Sequence, residues 1–270
     1  SREIEITNAP GKKLNGLVFS GGSAMGLSAA SGVAEYLKEK GLGHNTRFGK
    51  VPLVASAVVY DLFCEGFHYP GADDGRKACN RLSSRLEWEG SVGAGYGTMC
   101  NKLAGPGSFI KSGVGFAEIN FGGVKGFAYC VNNAIGIIDI KKIAGYLKDM
   151  GINAVPSVEN FKPTRLSGWK ENTVLSLIVL NSKLTKDELR EIGRMGSGAI
   201  PELINPAFTE HDGDVMFVAT TGTAKAKPEL MELGMISRNA LREALVRSLL
   251  FSRPNALAKS IMDYLDIVSY

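Results

Sequence analysis

The sequence is poor in the side chains that build metal centres. It holds four cysteines (Cys64, Cys79, Cys100, Cys130) and three histidines (His44, His68, His211) in 270 residues. No two cysteines stand in a C-x-x-C spacing and the histidines are scattered, so no zinc site is expected. The thiols read as free and buried in a reducing compartment, the cytoplasm, rather than as a disulfide framework. No apolar run approaches the roughly 18 residues that a membrane helix needs. The N-terminus lacks a basic segment followed by an apolar stretch, so no signal peptide is expected, and Ser1 in place of Met points to a processed or trimmed start. Internal repeats and low-complexity tracts are missing. Charge of one sign is not concentrated either. Lys and Arg total 31 against 27 Asp and Glu, a net charge of +4. The basic residues are scattered, without the stripe that nucleic-acid binding needs.

What is there is ordinary globular composition with one excess. Hydrophobic residues make up 44% and charged residues 21%, which excludes disorder over most of the chain. A chain of this length buries about three quarters of its unfolded surface, so its core needs no staples. Glycine is the excess, 33 of 270 residues against roughly 7% on average. Without collagen periodicity it implies tight turns and close backbone approaches.

Strand and helix signals alternate. Leu17–Ser20 reads as a buried strand, ended by Gly21-Gly22, with Ser23 placed to cap a helix from Ala24 to about Lys40. A strand is expected within Val51–Leu62, a helix over Gly71–Leu82 and a strand within Phe127–Ile140. Lys148–Asn172 carries Gly and Pro without periodicity and reads as a long loop. Thr173–Leu180 is the strongest strand signal in the chain. Thr185 and Glu188 form a capping box. Val215–Thr220 reads as a strand, the segment from Pro228 to Arg247 as a helix, and Pro254 as the opening of another.

Three local patterns could carry chemistry. Ser20-Gly21-Gly22-Ser23-Ala24-Met25-Gly26 is a Gly-rich turn opening a helix. Such a turn can bind an anion on bare N–H groups, but it matches neither G-x-G-x-x-G nor G-x-S-x-G and has no Walker lysine; tight packing is its plainer reading. Asn172-Thr173 joins the long loop to the strongest strand. A cut there would give Thr173 a free α-amino group, whose ordinary pKa near 8 suits a base for its own hydroxyl. Asp212-Gly213-Asp214 reads locally as a turn, since the calcium-loop pattern is missing.

The order of these patterns is more informative than any one of them. Gly21-Gly22-Ser23-Ala24-Met25-Gly26-Leu27 comes first. Ala57-Val58-Val59-Tyr60-Asp61-Leu62, Gly93-Ala94-Gly95, Lys102, Asn132-Asn133-Ala134-Ile135-Gly136, Asn172-Thr173 and His211-Asp212-Gly213-Asp214 follow. The series resembles the family of DmpA-type aminopeptidases and NylC-type nylon-oligomer hydrolases, over about Leu14 to Ala219. These are amide hydrolases that cut their own precursor and use the freed Ser or Thr.

The resemblance implies an α/β fold, a four-layer αββα sandwich with mixed sheets of the N-terminal-nucleophile-hydrolase kind, as one domain over 1–270. The precursor would be cut into an α chain, 1–172, and a β chain, 173–270. Thr173 would be the nucleophile and Lys102 the charge that tunes it, with Lys111 a rival for that place. Asn133 would stabilise the oxyanion, with Asn132 the alternative if the register is shifted by one. Tyr60 would lie by the nucleophile, and Asp212 and Asp214 would orient it and support self-cleavage. No metal or organic cofactor is implied. The expected partner is an amide substrate, small or oligomeric, with neither nucleic acid nor membrane, and the processed units would form a homo-oligomer, a tetramer.

The chain departs from the family in places. Members usually carry a further segment of tens of residues before the Gly-Gly-Ser helix, whereas about 16 residues precede the first strand here. Val174 stands where a second Thr or Ser is frequent. Thr173 and Val59-Tyr60-Asp61 lean toward the nylon-oligomer branch and hence toward linear aliphatic amides such as 6-aminohexanoate oligomers. An L-aminopeptidase of the DmpA type and a non-catalytic ligand-binding relative are the alternatives.

Overall fold

The structure is a computed structural model that describes residues 13–64, 66–83, 88–164 and 171–268. It divides into two compact units, residues 1–87 and 88–270.

In the first unit, β1 (Gly16–Ser20) runs parallel to β2 (Val54–Val58). Helices α1 (Ala29–Glu39) and α2 (Ala72–Asn80) pack on each other through glycines. A Cβ on Gly32 would lie 1.7 Å from the Ala72 oxygen, and one on Gly75 2.0 Å from the Ala29 oxygen, so the backbones touch and larger residues cannot enter. The helix expected from Ala24 begins as a 3-10 turn, Ser23–Ser28. Ser23 does not cap it: Gly22 and Ser23 both have positive φ (81° and 54°). The Gly22 N–H donates instead to Asp61 Oδ1 at 2.7 Å. A carboxylate therefore sits where an anion would bind, and the packing reading of this turn holds. The strand expected over Val51–Leu62 is shorter, because Val51 belongs to a hairpin, His44–Thr46 with Gly49–Val51. Tyr60 follows β2, half-buried, its ring 6.0 Å from that of Phe63.

The second unit is built on a four-stranded mixed sheet. Its strands are β3 (Val114–Phe121), β4 (Val124–Asn133), β5 (Thr173–Ser182) and β6 (Val215–Ala224), in the order β6-β5-β4-β3. β3 and β4 form a hairpin closed by Gly122-Gly123, both at positive φ (56° and 79°), the pair of conformations that matches strand twist in a two-residue loop. β4 and β5 are antiparallel and β5 and β6 parallel. α3 (Ile140–Asp149) is capped by Asp139, whose Oδ1 accepts from the Lys142 N–H at 3.2 Å. α4 (Lys186–Ser197) begins with the expected box: the Glu188 N–H donates to Thr185 Oγ1 and the Thr185 N–H to Glu188 Oε2. α5 (Leu230–Leu250) packs on β3, β4 and α4, burying Leu233, Leu241, Leu245 and Leu249 with Ile178 and Ile192. Gly115 lets α5 come close, since a Cβ there would lie 1.8 Å from the Ala244 oxygen.

The α/β class with a mixed sheet stands, and three further local expectations change. The strand expected within Phe127–Ile140 ends at Asn133, and Ile137–Ile138 pairs separately with Ile204–Asn205. Within Lys148–Asn172, α3 runs to Asp149 and Ala154–Pro156 pairs with Leu265–Ile267; residues 165–170 of that stretch lie outside the described residues. Pro254 opens no helix, because Asn255 Oδ1 accepts from the Leu257 and Ala258 N–H groups at 2.9 Å each. That side chain competes with helical bonding, and only a 3-10 turn, Ile261–Tyr264, follows. All four cysteines are free thiols. Among the described residues no helix is long and apolar enough to cross a membrane.

Candidate active site around Thr173

β5 enters the sheet between β4 and β6, and its first residue, Thr173, lies opposite Asn133, with Val174 opposite Asn132. Side chains alternate between sheet faces, and directly opposed residues share a face. Thr173 and Asn133 therefore project to one side and Val174 and Asn132 to the other. The second side is covered by α5, where Asn132 Nδ2 donates to Ser248 Oγ at 3.3 Å. Of the two asparagines left open in the sequence, strand register puts Asn133 on the Thr173 face and Asn132 on the opposite one.

Lys102 reaches the Thr173 face from a 3-10 turn, Lys102–Ala104. Asn101 before it adopts positive φ, 63°, and both ends of its amide are engaged: Nδ2 donates to the Ser108 oxygen at 2.7 Å, and Oδ1 accepts from the Ile138 N–H at 3.0 Å. Asparagine tolerates this conformation better than most residues, and the bend aims the next side chain inward. Lys102 is buried. Its Nζ donates to Asn133 O and Oδ1, both at 3.0 Å, and to Asn172 Oδ1 at 2.9 Å. Lys111 is equally buried, but its ammonium donates to the Gly95 oxygen at 3.0 Å and to the Ser112 oxygen. Lys102 is thus joined to the Asn133–Asn172 pair, and Lys111 to the Gly95 and Ser112 main-chain oxygens.

The segment 212–214 flanks Asn172 and Thr173 from the β6 side. Asn172 bridges Asp212 in parallel fashion. The Gly213 N–H donates to the Asn172 main-chain oxygen at 2.7 Å. Thr173 Oγ1 donates to the same oxygen at 2.5 Å. A Cβ on Gly213 would lie 2.9 Å from Thr173 Oγ1, so a side chain there would press on the hydroxyl. Asp214 Oδ1 accepts from the Val174 N–H at 2.6 Å and Oδ2 from the Phe208 N–H at 3.3 Å. Asp212 Oδ2 accepts from the Thr209 N–H and hydroxyl at 2.9 and 2.8 Å. Burial pushes the Asp214 carboxyl up to about 6, the Val174 N–H opposes that rise, and the Asp212 charge adds to it.

The structure brings Lys102, Asn133, Asn172, Thr173, Asp212 and Asp214 together in residues 88–270. Tyr60 belongs to the first unit and is described there. Two participants left no side-chain signal in the sequence. The Gly213 N–H is main chain, and Asn101 acts only through the bend it holds. Among the described residues no group of three His, Cys, Asp or Glu side chains gathers as metal ligands. Cys100 and Cys130, pushed up to about 12 by burial, are inert as nucleophiles.

Residues 3–263 match the model of peptidase family S58. An uncharacterized aminopeptidase of Mycobacterium tuberculosis is 30% identical over 229 residues, covering 80% of this chain and 64% of that protein. A 6-aminohexanoate-oligomer endohydrolase of Paenarthrobacter ureafaciens is 30% identical over 217 residues, covering 76% of this chain and 60% of that one. The chain thus spans less than two thirds of the length of these relatives. Among solved structures, a Burkholderia sp. beta-aminopeptidase superposes with a TM-score of 0.61 at 15% identity, over 87% of this chain and 66% of that one. An L-aminopeptidase D-Ala-esterase/amidase of Ochrobactrum anthropi, described as a variant of the Ntn hydrolase fold, gives 0.59 at 16% identity, over 84% and 63%.

Proposed function

This chain belongs to peptidase family S58, and from that premise we propose that it is a self-processing amide hydrolase whose nucleophile is Thr173. One observation carries the reading. The buried Asn172–Thr173 peptide has its own Thr hydroxyl on the carbonyl oxygen of the bond to be cut, between the Lys102–Asn133 pair and the 212–214 turn. After the cut, the α-amino group of Thr173 takes the proton of its hydroxyl, and Oγ1 attacks a substrate amide carbon. Asn133 donates to the oxyanion from its amide nitrogen; its Oδ1 is held by Lys102 and by the Met99 N–H at 3.3 Å, which fixes which end of the amide accepts. The Lys102 ammonium stabilises the developing negative charge. The amine leaves with a proton, and water then releases the acyl group from Oγ1. Asp212 and Asp214 hold the start of β5 in place. Tyr60 is assigned beside the nucleophile on the family resemblance alone.

The substrate class we assign is linear aliphatic amides, 6-aminohexanoate oligomers among them, cut within the chain. The endohydrolase relatives favour it, and the aminopeptidase relatives favour the alternative, removal of an N-terminal residue. An aminopeptidase must pair a carboxylate with the substrate ammonium, whereas an endohydrolase must admit chain on both sides of the bond. Equal rates on free and N-acetylated oligomers support endo cleavage; loss of activity on acetylation replaces it with aminopeptidase action. Assembly of processed units into a cytoplasmic tetramer belongs to the same reading, and light scattering measures it. The decisive test is intact mass spectrometry and N-terminal sequencing of purified protein. We expect fragments 1–172 and 173–270, the second beginning Thr-Val-Leu-Ser. A fully active chain left uncut would sink the mechanism.

A further inference from the structure

Two different carbonyls are attacked in the life of such an enzyme: that of Asn172 once, in processing, and that of each substrate afterwards. We propose that they use different oxyanion donors, and that the main-chain N–H of Gly213 serves the first. The inference rests on the self-processing reading above. The Gly213 N–H already donates to the Asn172 oxygen at 2.7 Å in the uncut chain, within the 2.7–3.1 Å that an oxyanion donor needs. The attacking hydroxyl lies on that same oxygen. The Lys102 ammonium is engaged elsewhere: its three N–H groups go to Asn133 O and Oδ1 and to the side-chain oxygen of Asn172, not to the Asn172 main-chain oxygen.

The 212–214 turn suits the task. Asp212 and Asp214, on either side of Gly213, are each tied by two hydrogen bonds to Thr209, and to Val174 and Phe208. The amide between them is therefore fixed before the reaction, which is what makes such a donor effective. Glycine is also the residue whose side the hydroxyl tolerates, since a Cβ would stand 2.9 Å from Oγ1.

In the step itself Oγ1 bonds to the Asn172 carbonyl carbon, and negative charge collects on the oxygen facing Gly213. The C–N bond to Thr173 then breaks, the nitrogen takes up the proton that the hydroxyl gave, and an ester links Asn172 to Oγ1. One water hydrolyses that ester, leaving the Asn172 carboxylate with the free amine and hydroxyl of Thr173. Cutting frees the Asn172 end, whose new carboxylate departs with its own segment and releases the Gly213 N–H, and turnover falls to the Asn133 side chain.

The test replaces Gly213 in the full chain by glycolic acid, which exchanges the N–H for an ester oxygen and adds no atoms to the side. Self-cleavage is followed by mass spectrometry, and turnover is normalised to the chains already cut. We expect cleavage to slow 10²–10³-fold, with turnover falling at least tenfold less. Cleavage at the wild-type rate, or equal losses in both, overturns the proposal. As a second measurement, amide exchange in uncut Thr173→Ala protein should show Gly213 protected, and processed wild-type protein should show that protection lost. An unprotected Gly213 in the uncut chain overturns it as well, whether or not the ester variant folds. If wild-type protein is never cut, the parent reading has failed; if it is cut and the ester variant keeps pace, this inference alone has failed.

Discussion

At the Thr173 end the four-stranded sheet presents two faces of opposite character. Toward α5, Asn132 and Ser248 satisfy one another beside Val174 and Cys130. Everything there serves packing. One residue along, Asn133, Lys102, Asn172 and Thr173 are just as buried, yet they are tied into a polar network that joins the Asn172–Thr173 peptide to a lysine. Burying an ammonium costs several kcal/mol unless its partners are well placed. Burial of a lysine is not the distinguishing mark, however, because Lys111 is buried too and donates to two main-chain oxygens. What distinguishes Lys102 is that its partners include the side chains of Asn133 and Asn172. The lesson is to read a polar residue by which groups it joins, not by how deeply it lies.

The contrast is broken most completely at Thr173. Thr173→Ala should abolish both self-cleavage and turnover while leaving the α5 face intact; Thr173→Ser should keep some of each. Gel analysis and an amide assay read both, and an active Thr173→Ala protein would remove the nucleophile from the argument. Next come the two partners. Asn133→Ala should lower turnover roughly 10²–10³-fold if it donates to the oxyanion. Lys102→Met should do comparable damage to cleavage and turnover. Lys111→Met should spare the activity of the folded protein but lower stability by about 1–3 kcal/mol, because the buried Gly95 and Ser112 carbonyls lose the ammonium and are left to share the single Thr98 hydroxyl. Were Lys111→Met the inactive variant and Lys102→Met the active one, the two lysines would have to exchange roles.

How much of this was legible before folding follows from the same contrast. β5, α5 and the Thr185–Glu188 box were legible because each is a strong local pattern that tertiary contacts reinforce. The Ser23 cap and the Pro254 helix misled for the opposite reason: Asp61 and Asn255 offer competing bonds that sequence proximity does not reveal. At the site, Asn172-Thr173 and Asp212-Gly213-Asp214 could be named, because their order along the chain is distinctive. The choice of Asn133 over Asn132 could not, since it depends on pairing with a strand some forty residues away. Nor could Lys102 be separated from Lys111 without the left-handed bend at Asn101. The Gly213 N–H has no signature in a residue alphabet at all.

The turn between these regions adds a pH dependence. Asp214 is pushed up to about 6, chiefly by burial, so the folded chain holds its proton more tightly than the unfolded chain does. The sign follows from linkage: between about pH 4 and 6 the native state carries the extra proton. On this group's account stability therefore falls as pH rises through that window and levels off above it. Asp214→Asn keeps an acceptor for the Val174 N–H and removes the titration. Denaturant melts at pH 4 to 7 should show the variant gaining on the wild-type protein as pH rises. A difference constant across that range would mean that the carboxyl titrates near its ordinary value.

The smallest expected effect is the sharpest check on register, because it concerns the neighbour of a residue whose loss should be severe. Asn132→Ala removes two long hydrogen bonds, Nδ2 to Ser248 Oγ at 3.3 Å and the Ala134 N–H to Oδ1 at 3.4 Å. Ser248 stays satisfied, since its hydroxyl donates to the Leu245 oxygen at 2.6 Å. Only the Ala134 N–H is left wanting, so the cost should be about 1 kcal/mol, a fall in Tm of roughly 2–4 °C for a chain of this size. Because Asn132 projects to the α5 side of the sheet, self-cleavage and turnover should stay within a few-fold of wild type. Paired with Asn133→Ala, the variant measures what a shift of one residue along β4 means. If Asn132→Ala instead loses turnover and Asn133→Ala keeps it, β4 and β5 pair one residue out of the register described, and the polar network around Thr173 must be redrawn on the other face.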